Sequence, residues 1–385
     1  MKSIPFTECV DLVGSRCKPF KGTKKYVSTG AVDVDQINEA GIEIIDYEKR
    51  PSRANLEASL GDVLFAKMQG TKKTLLISSS LVENIYSTGF CAVKAKENVL
   101  TERCLYHLLT SKMFLEQKDK NCSGATQKAI TNKGLQKVIL HVPDINKQDL
   151  IAAQLDLIVK IITLRKQELV ELDDLIKARF IELFGEPGTN PMNWKETTIG
   201  EECFYIKDGP HKSLPDIGKE NGGHPFISVR NIVDGYINFS NAKYISDEDY
   251  AAAIKKCHPE KGDMLYSKGG TTGIAKLIDV EDKFANWVHV AVLKFGKEKL
   301  NGVFFENMLN STYCYEQSQR LTKGIANRDL VLSAMAQIKM YRPPLELQNQ
   351  FADFVSQIDK SKATVQKALD ETQLLFDSLM QQYFG

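Results

Sequence analysis

From Asp144 to Phe184 the chain contains neither glycine nor proline, and the stretch is bracketed by Pro143 and Gly185. Stepping alternately by four and three from Ile151 gives Ile151, Leu155, Ile158, Ile162, Arg165, Leu169, Leu172, Ile176, Arg179 and Leu183. Eight of these ten are apolar. That spacing predicts one long helix with an apolar seam made to lie against another helix. At about 1.5 Å per residue the rod is about 60 Å long. It cannot bury its seam against itself, so the pattern requires a partner.

The partner lies 200 positions later. Phe351, Val355, Ile358, Lys362, Val365, Leu369, Thr372, Phe376, Leu379 and Tyr383 form a second seam, after Pro344 and before Gly385. Aligned without a gap, 143–185 and 343–385 share ten identities, Gln148/Gln348, Leu169/Leu369 and Phe184/Phe384 among them. This is an internal duplication. Arg165, Arg179, Lys362 and Thr372 interrupt the seams. Two readings stand: they snorkel to solvent where the seam is open, or they fix antiparallel register or meet another subunit.

Residues 1–143 read as a first globule. Lys24 to Asp33, Gly61 to Met68, Thr74 to Ser78 and Thr88 to Ala95 are short β-branched runs between turn signals and are expected to be strands. Gly61 to Ser78 reads as a hairpin with Gly70, Lys72 and Lys73 at its tip. Thr101 to Asp119 reads as one amphipathic helix capped by Thr101. A turn-rich stretch from Gly124 leads to a strand ending at Pro143.

Residues 186–343 repeat that order. His224 to Gly235, Gly262 to Asp279, Trp287 to Gly296, Phe304 to Gln317 and Leu321 to Pro343 match the first-half segments at offsets of 200 or 201. The expected division is 1–143, 144–185 (central helix), 186–343 and 344–385 (C-terminal helix), with Gly185 to Asn193 as a joint. The fold class is α/β (α+β): two similar globules with twisted sheets, joined by two long helices in an antiparallel coiled coil. The expected arrangement is a pseudo-two-fold duplication in which the rod holds the globules apart. Such a pair suits a split DNA site whose halves lie roughly 34 Å, one helical turn, apart.

Composition adds limits. Over 385 residues, 43% apolar and 26% charged content are ordinary for a globular chain. No run of 18 uncharged apolar residues exists, and the first residues, MKSIPFTECVDLVG, lack the apolar core of a signal peptide. Eight scattered cysteines without a CxxC suggest buried free thiols in a reducing cytoplasm. The net charge of +1 is unevenly placed. Residues 1–143 hold 21 Lys/Arg and 15 Asp/Glu, net +6; 186–343 are balanced at 20 and 20; the helical segments are net −2 and −3. A basic first globule is compatible with a polyanion partner.

No catalytic constellation is visible. Neither Gly-Lys pair, at Gly218 or Gly296, is followed by Ser or Thr, so no P-loop exists. There is no HExxH, no Cys/His cluster and no GxSxG. Gly269 to Gly273 (GGTTG) is either a phosphate cradle or, as its matching turn suggests, a hairpin turn. Three functions remain: a DNA-reading subunit of a larger machine, a standalone nuclease or methyltransferase with an unseen site, and a coiled-coil scaffold.

The order and duplication of GDVLFAKMQGT and GDMLYSKGGTTG, GATQKAITNKGLQKVILHVP, PPLELQNQFADFVSQI and LFDSLMQQYFG resemble the specificity (S) subunit of Type I restriction–modification enzymes, over essentially the whole chain. The resemblance implies two target recognition domains, each reading half of a split double-stranded DNA site, and no catalysis or cofactor in this chain. Two methylation subunits would bring S-adenosylmethionine. Restriction subunits using ATP and Mg would cleave DNA in a cytoplasmic host-defence complex. KMQGTKKT departs from its GGTTG-bearing copy, so the two tips should meet DNA differently, and DINKQ is less typical than PPLELQNQ.

Cations on phosphates should supply affinity and a few loop side chains specificity. The phosphate candidates are Lys21, Lys24, Lys25, Lys67, Lys72, Lys73 and Lys128 in the first half. In the second they are Lys207, Lys212, Arg230, Lys268, Lys323 and Arg328. Candidates for base edges are Thr29, Gln69, Gln127, Lys212, Arg230 and Asn231, since amides and arginine form bidentate pairs with bases.

Overall fold

The structure, a computed structural model, describes residues 1–385 apart from Asp35 and Ala326. The chain divides into two compact units, residues 1–167 with 366–385, and residues 168–365. Each unit therefore contains one globule together with half of each long helix.

In the first unit, β1 (Lys2–Pro5), β2 (Val10–Val13), β3 (Thr23–Val27), β4 (Glu43–Asp46), β5 (Ala54–Leu56), β6 (Val63–Ala66), β7 (Thr74–Leu76), β8 (Ile85–Ser87) and β9 (Phe90–Ala95) precede two helices. Those helices are α1 (Glu102–Thr110) and α2 (Lys112–Lys120); β10 (Ile139–Val142) closes the globule by pairing antiparallel with β1. One four-stranded sheet runs β2-β9-β6-β7 and another β4-β3-β8-β5. All four residues of β6 are buried because both faces are covered. Val63 and Phe65 pack with Phe6, Phe114 and Leu105 on the helix side. Leu64 and Ala66 pack with Val27 and Tyr86 of the neighbouring sheet. A period of two on a doubly covered strand thus reads as a continuous apolar run.

The single helix expected over Thr101–Asp119 is two. Ser111 is extended (φ −65°, ψ 146°), and its side chain accepts from the Phe114 amide at 3.2 Å, starting α2 afresh. A serine that can cap competes with helix continuation. Thr101 caps α1 as expected, accepting from the Cys104 amide.

The long helix α3 (Ile145–Phe184) follows, forty residues without a break. The second unit then holds β11 (Lys195–Thr198), β12 (Cys203–Asp208), β13 (His224–Ile227), β14 (Lys243–Ile245), α4 (Asp247–Lys256), β15 (Met264–Ser267), β16 (Ala275–Leu277), β17 (Ala285–Asn286) and β18 (Val290–Phe295). After these come α5 (Gly302–Leu309), α6 (Thr312–Leu321) and β19 (Lys339–Arg342), which pairs with β11. Its main sheet runs β12-β18-β15-β16, the order of β2-β9-β6-β7. The helix pair again breaks at a serine, Ser311, which caps α6. Where the first unit has β5, the second has α4.

The forty-residue α7 (Leu345–Phe384) ends the chain. Within the first unit its last part lies antiparallel along the first part of α3: Tyr383 donates to Gln154, and Arg165 donates to the Ala368 carbonyl and Thr372 hydroxyl. Within the second unit its first part meets the last part of α3: Lys362 pairs with Asp173 at 2.6 Å, and Phe351 packs edge-on against Phe180 and Phe184. None of the sixteen apolar seam positions is exposed. Arg165 and Thr372 bond to each other across the pair, and Lys362 to the opposite helix, so these interruptions fix register. Arg179 pairs along its own helix with Glu182 and lies over the Phe354 ring.

Each helix is fastened to its globule by a copied amide. Gln148 accepts from the Thr101 amide at 2.8 Å and donates to the Val99 and Pro143 carbonyls at 2.9 and 3.0 Å. Gln348 does the same with Asn301, Lys299 and Pro343. Both are fully buried. Gln148→Leu leaves three backbone groups unpaired and lowers stability by about 2 kcal/mol, read as a shift in the urea midpoint with an unchanged slope.

Candidate nucleic-acid interface

In the first unit the hairpin of β6 and β7 brings residues 67–73 to a tip. The register Val63↔Leu76, Leu64↔Leu75, Phe65↔Thr74 sets where the tip begins. The tip is held from beneath by Lys118 of α2, whose side chain is only 1% exposed. Its ammonium donates to the Thr71 and Met68 carbonyls at 2.8 and 3.1 Å and lies 3.2 Å from Asp119. Asp119 in turn accepts from the Gly70 amide at 3.1 Å. A second loop is laced alongside: the Gln69 amide donates to Lys128, and the Ile130 amide to Lys67. Gly124 closes that loop, since a Cβ there would lie 2.4 Å from the Gln127 carbonyl; Gly324 repeats this at 2.2 Å from Asn327. Lys73 donates to the Thr29 carbonyl at 2.8 Å, drawing the end of β3 to the same place.

The fold therefore gathers Thr29, Lys67, Gln69, Lys72, Lys73, Gln127 and Lys128. Gln69, Lys72, Gln127 and Lys128 are exposed there. Lys21, Lys24 and Lys25 stand at the other end of β3. Lys24 is 3.7 Å from Glu83 and Lys25 is 3.3 Å from Glu39, so their charges are partly balanced.

The second unit uses its copied hairpin differently. GGTTG is the turn joining β15 and β16, as its matching turn suggested. Lys268, the copy of Lys67, is buried, with its ammonium 2.9 Å from Asp329 and 3.6 Å from Asp208. Asn231 is also buried, donating to Asn238 and Asn241 at 2.8 Å each. These two candidates are structural: their polar groups are already paired inside the fold. Lys207, Lys212, Lys323, Arg230 and Arg328 are exposed. Arg230, Arg328, Trp287, His289 and Gly269 line one open cleft of about 660 Å³. Gly269 is required there, because a Cβ would lie 1.9 Å from the His289 ring.

Lys118, Trp287 and His289 were not singled out from the sequence. The signal for Lys118 was its place four residues after Phe114, on the buried face of α2.

All eight cysteines are free, six of them buried. Burial pushes the thiols of Cys104, Cys203 and Cys314 up to about 12, which leaves them unreactive. Among the described residues no group of three or more His, Cys, Asp or Glu could hold a metal ion, and no helix is long and apolar enough to cross a membrane.

A family model described as Type I restriction modification DNA specificity domain matches the chain twice, at residues 15–174 and 191–372. The chain is 22% identical over 330 residues to the Type I restriction enzyme EcoBI specificity subunit of Escherichia coli, covering 76% of this chain and 67% of that protein. It is 21% identical over 310 residues to the Type I restriction enzyme MjaVIII specificity subunit of Methanocaldococcus jannaschii, covering 74% and 72%. In fold it is similar to a chain solved in work on complex assembly and conformational transition of the type I R-M system, with a TM-score of 0.59, 20% identity and 99% and 97% coverage. The Type-I restriction-modification system S subunit from M. genitalium is similar at a TM-score of 0.56, 15% identity and 100% and 96% coverage.

Proposed function

We propose, from the premise that this chain belongs to the Type I restriction–modification DNA specificity family, that its two globules each read one half of a split DNA target and that the helix pair sets the gap between the halves. The chain is the specificity subunit of such a system, recognising DNA through two target recognition domains and making no bonds itself. The observation that carries the reading is the recurrence of one sheet order, β2-β9-β6-β7 and β12-β18-β15-β16, in the two matched stretches.

In this reading the first domain meets DNA with the loops around Lys67, Gln69, Lys72, Lys73, Gln127, Lys128 and Thr29. The second uses Lys207, Lys212, Lys323, Arg230 and Arg328. Lysines at phosphates make binding strongly salt-dependent. Two methylation subunits carry S-adenosylmethionine, and restriction subunits carry ATP and Mg.

The purified chain, incubated with DNA and labelled S-adenosylmethionine, transfers no methyl group by itself and supports transfer at a split motif once methylation subunits are added. Turnover by the chain alone, or no dependence on it in the complex, overturns the reading. Reversing charge at Lys67 and Lys72 weakens DNA binding by tenfold or more at low salt and leaves subunit assembly intact, as measured by titration and co-purification.

A further inference from the structure

We infer that Arg230 and Arg328 determine the specificity of the second domain, each reading a guanine through the major groove. The inference rests on the recognition reading above. Arg230 stands in the short turn Val229–Asn231, which is locked from beneath. Asn231 accepts from the Ser228 amide at 2.8 Å and donates to Asn241, whose own carbonyl receives Nη2 of Arg230 at 2.8 Å. Arg328 is held in a similar way. Its Nη2 donates to Gln319 Oε1, Gln319 donates to the Thr272 carbonyl at 2.9 Å, and the Arg328 carbonyl accepts from the Gly270 amide at 3.0 Å.

In both cases the acceptor is neutral. A carboxylate would cancel the charge, as Asp208 and Asp329 do for Lys268. An amide or carbonyl oxygen aims the guanidinium without neutralising it, and among the described residues no carboxylate forms an ion pair with either fork. Two parallel N–H donors are what guanine O6 and N7 accept. A phosphate contact needs no such aiming, and a flexible lysine serves it as well.

Both arginines line the same cleft as Trp287 and His289. Trp287 Nε1 and His289 Nδ1 are buried there without a hydrogen-bond partner among the described residues. The matching first-half positions hold Gly30 and Lys128, neither able to form a fork, so the first domain does not repeat this pair of arginines.

The test is long-read methylation mapping in a host without its own system, expressing the whole complex with the wild-type chain, Arg230→Lys or Arg328→Lys. Lysine keeps the charge, and both positions are exposed, so folding is preserved. Each variant is expected to lose about 5- to 150-fold discrimination at one G·C position, in the same half of the motif, with the other half unchanged. An unchanged motif, or uniformly weaker methylation at all sites, overturns the inference and leaves the function reading standing. A wild-type complex that methylates no split motif overturns the function reading itself.

Discussion

Seven residues inserted into each long helix, after Gln167 and after Val365, lengthen the unread gap of the target by about three base pairs. These positions are where the two compact units meet along the sequence. Seven residues are two helical turns, so the apolar seam keeps its phase. The added length is about 10.5 Å, and a base pair occupies about 3.4 Å. The anchors of each unit, Arg165 with Thr372 and Lys362 with Asp173, fall on either side of the insertions and are retained. Methylation mapping of the complex reads the gap directly. If the gap is unchanged while the motif persists, the helices do not measure it. The half-site sequences themselves stay the same, because no recognition loop is touched.

Lys118→Met disables reading of the first half-site and lowers stability by about 3 kcal/mol. The buried ammonium is the common donor to the Met68 and Thr71 carbonyls and lies against Asp119. Its removal leaves acceptors and a carboxylate without their cation, at about 1–3 kcal/mol for each unpaired group, part of it recovered by water at the tip. For a unit of this size the loss is a fall of roughly 6–12 °C in Tm. Thermal unfolding checks the first effect; degeneracy confined to one half of the methylation motif checks the second. The copied position in the second domain is Ser318, whose hydroxyl donates to Tyr315 of its own helix and accepts from Gln319, so no ammonium stands under that tip. Equal loss at both halves would mean that Lys118 acts on the whole chain and not on the tip.

The seam shows how much local pattern can reveal. Ile151 through Leu183 and Phe351 through Tyr383 were legible because an apolar stripe with a fixed period has few ways to be buried. The four interruptions were harder. Arg165 and Lys362 look alike as charged breaks, yet one donates across the helix pair to a carbonyl and a hydroxyl and the other pairs with Asp173. Ser111 lies inside a run, Thr101 to Asp119, that reads as one continuous helix. That it splits a helix required knowing that its hydroxyl finds the Phe114 amide.

Recognition residues divide in the same way. Lys67 and Lys268 stand at equal places in copied strands, and composition cannot separate them. Lys268 is interior because Asp208, from β12, and Asp329, from a distant loop, converge on it. In the first domain the interior cation is instead Lys118. Sequence by itself determined the duplication, the two long helices, the succession of short β runs repeated along the chain and the absence of recognisable catalytic motifs, since these are periodic or local properties. Only the tertiary structure decided which cations are neutralised, which are aimed and which stand free. The worth of a charge depends on partners brought near by folding, and those lie tens to hundreds of residues away along the chain.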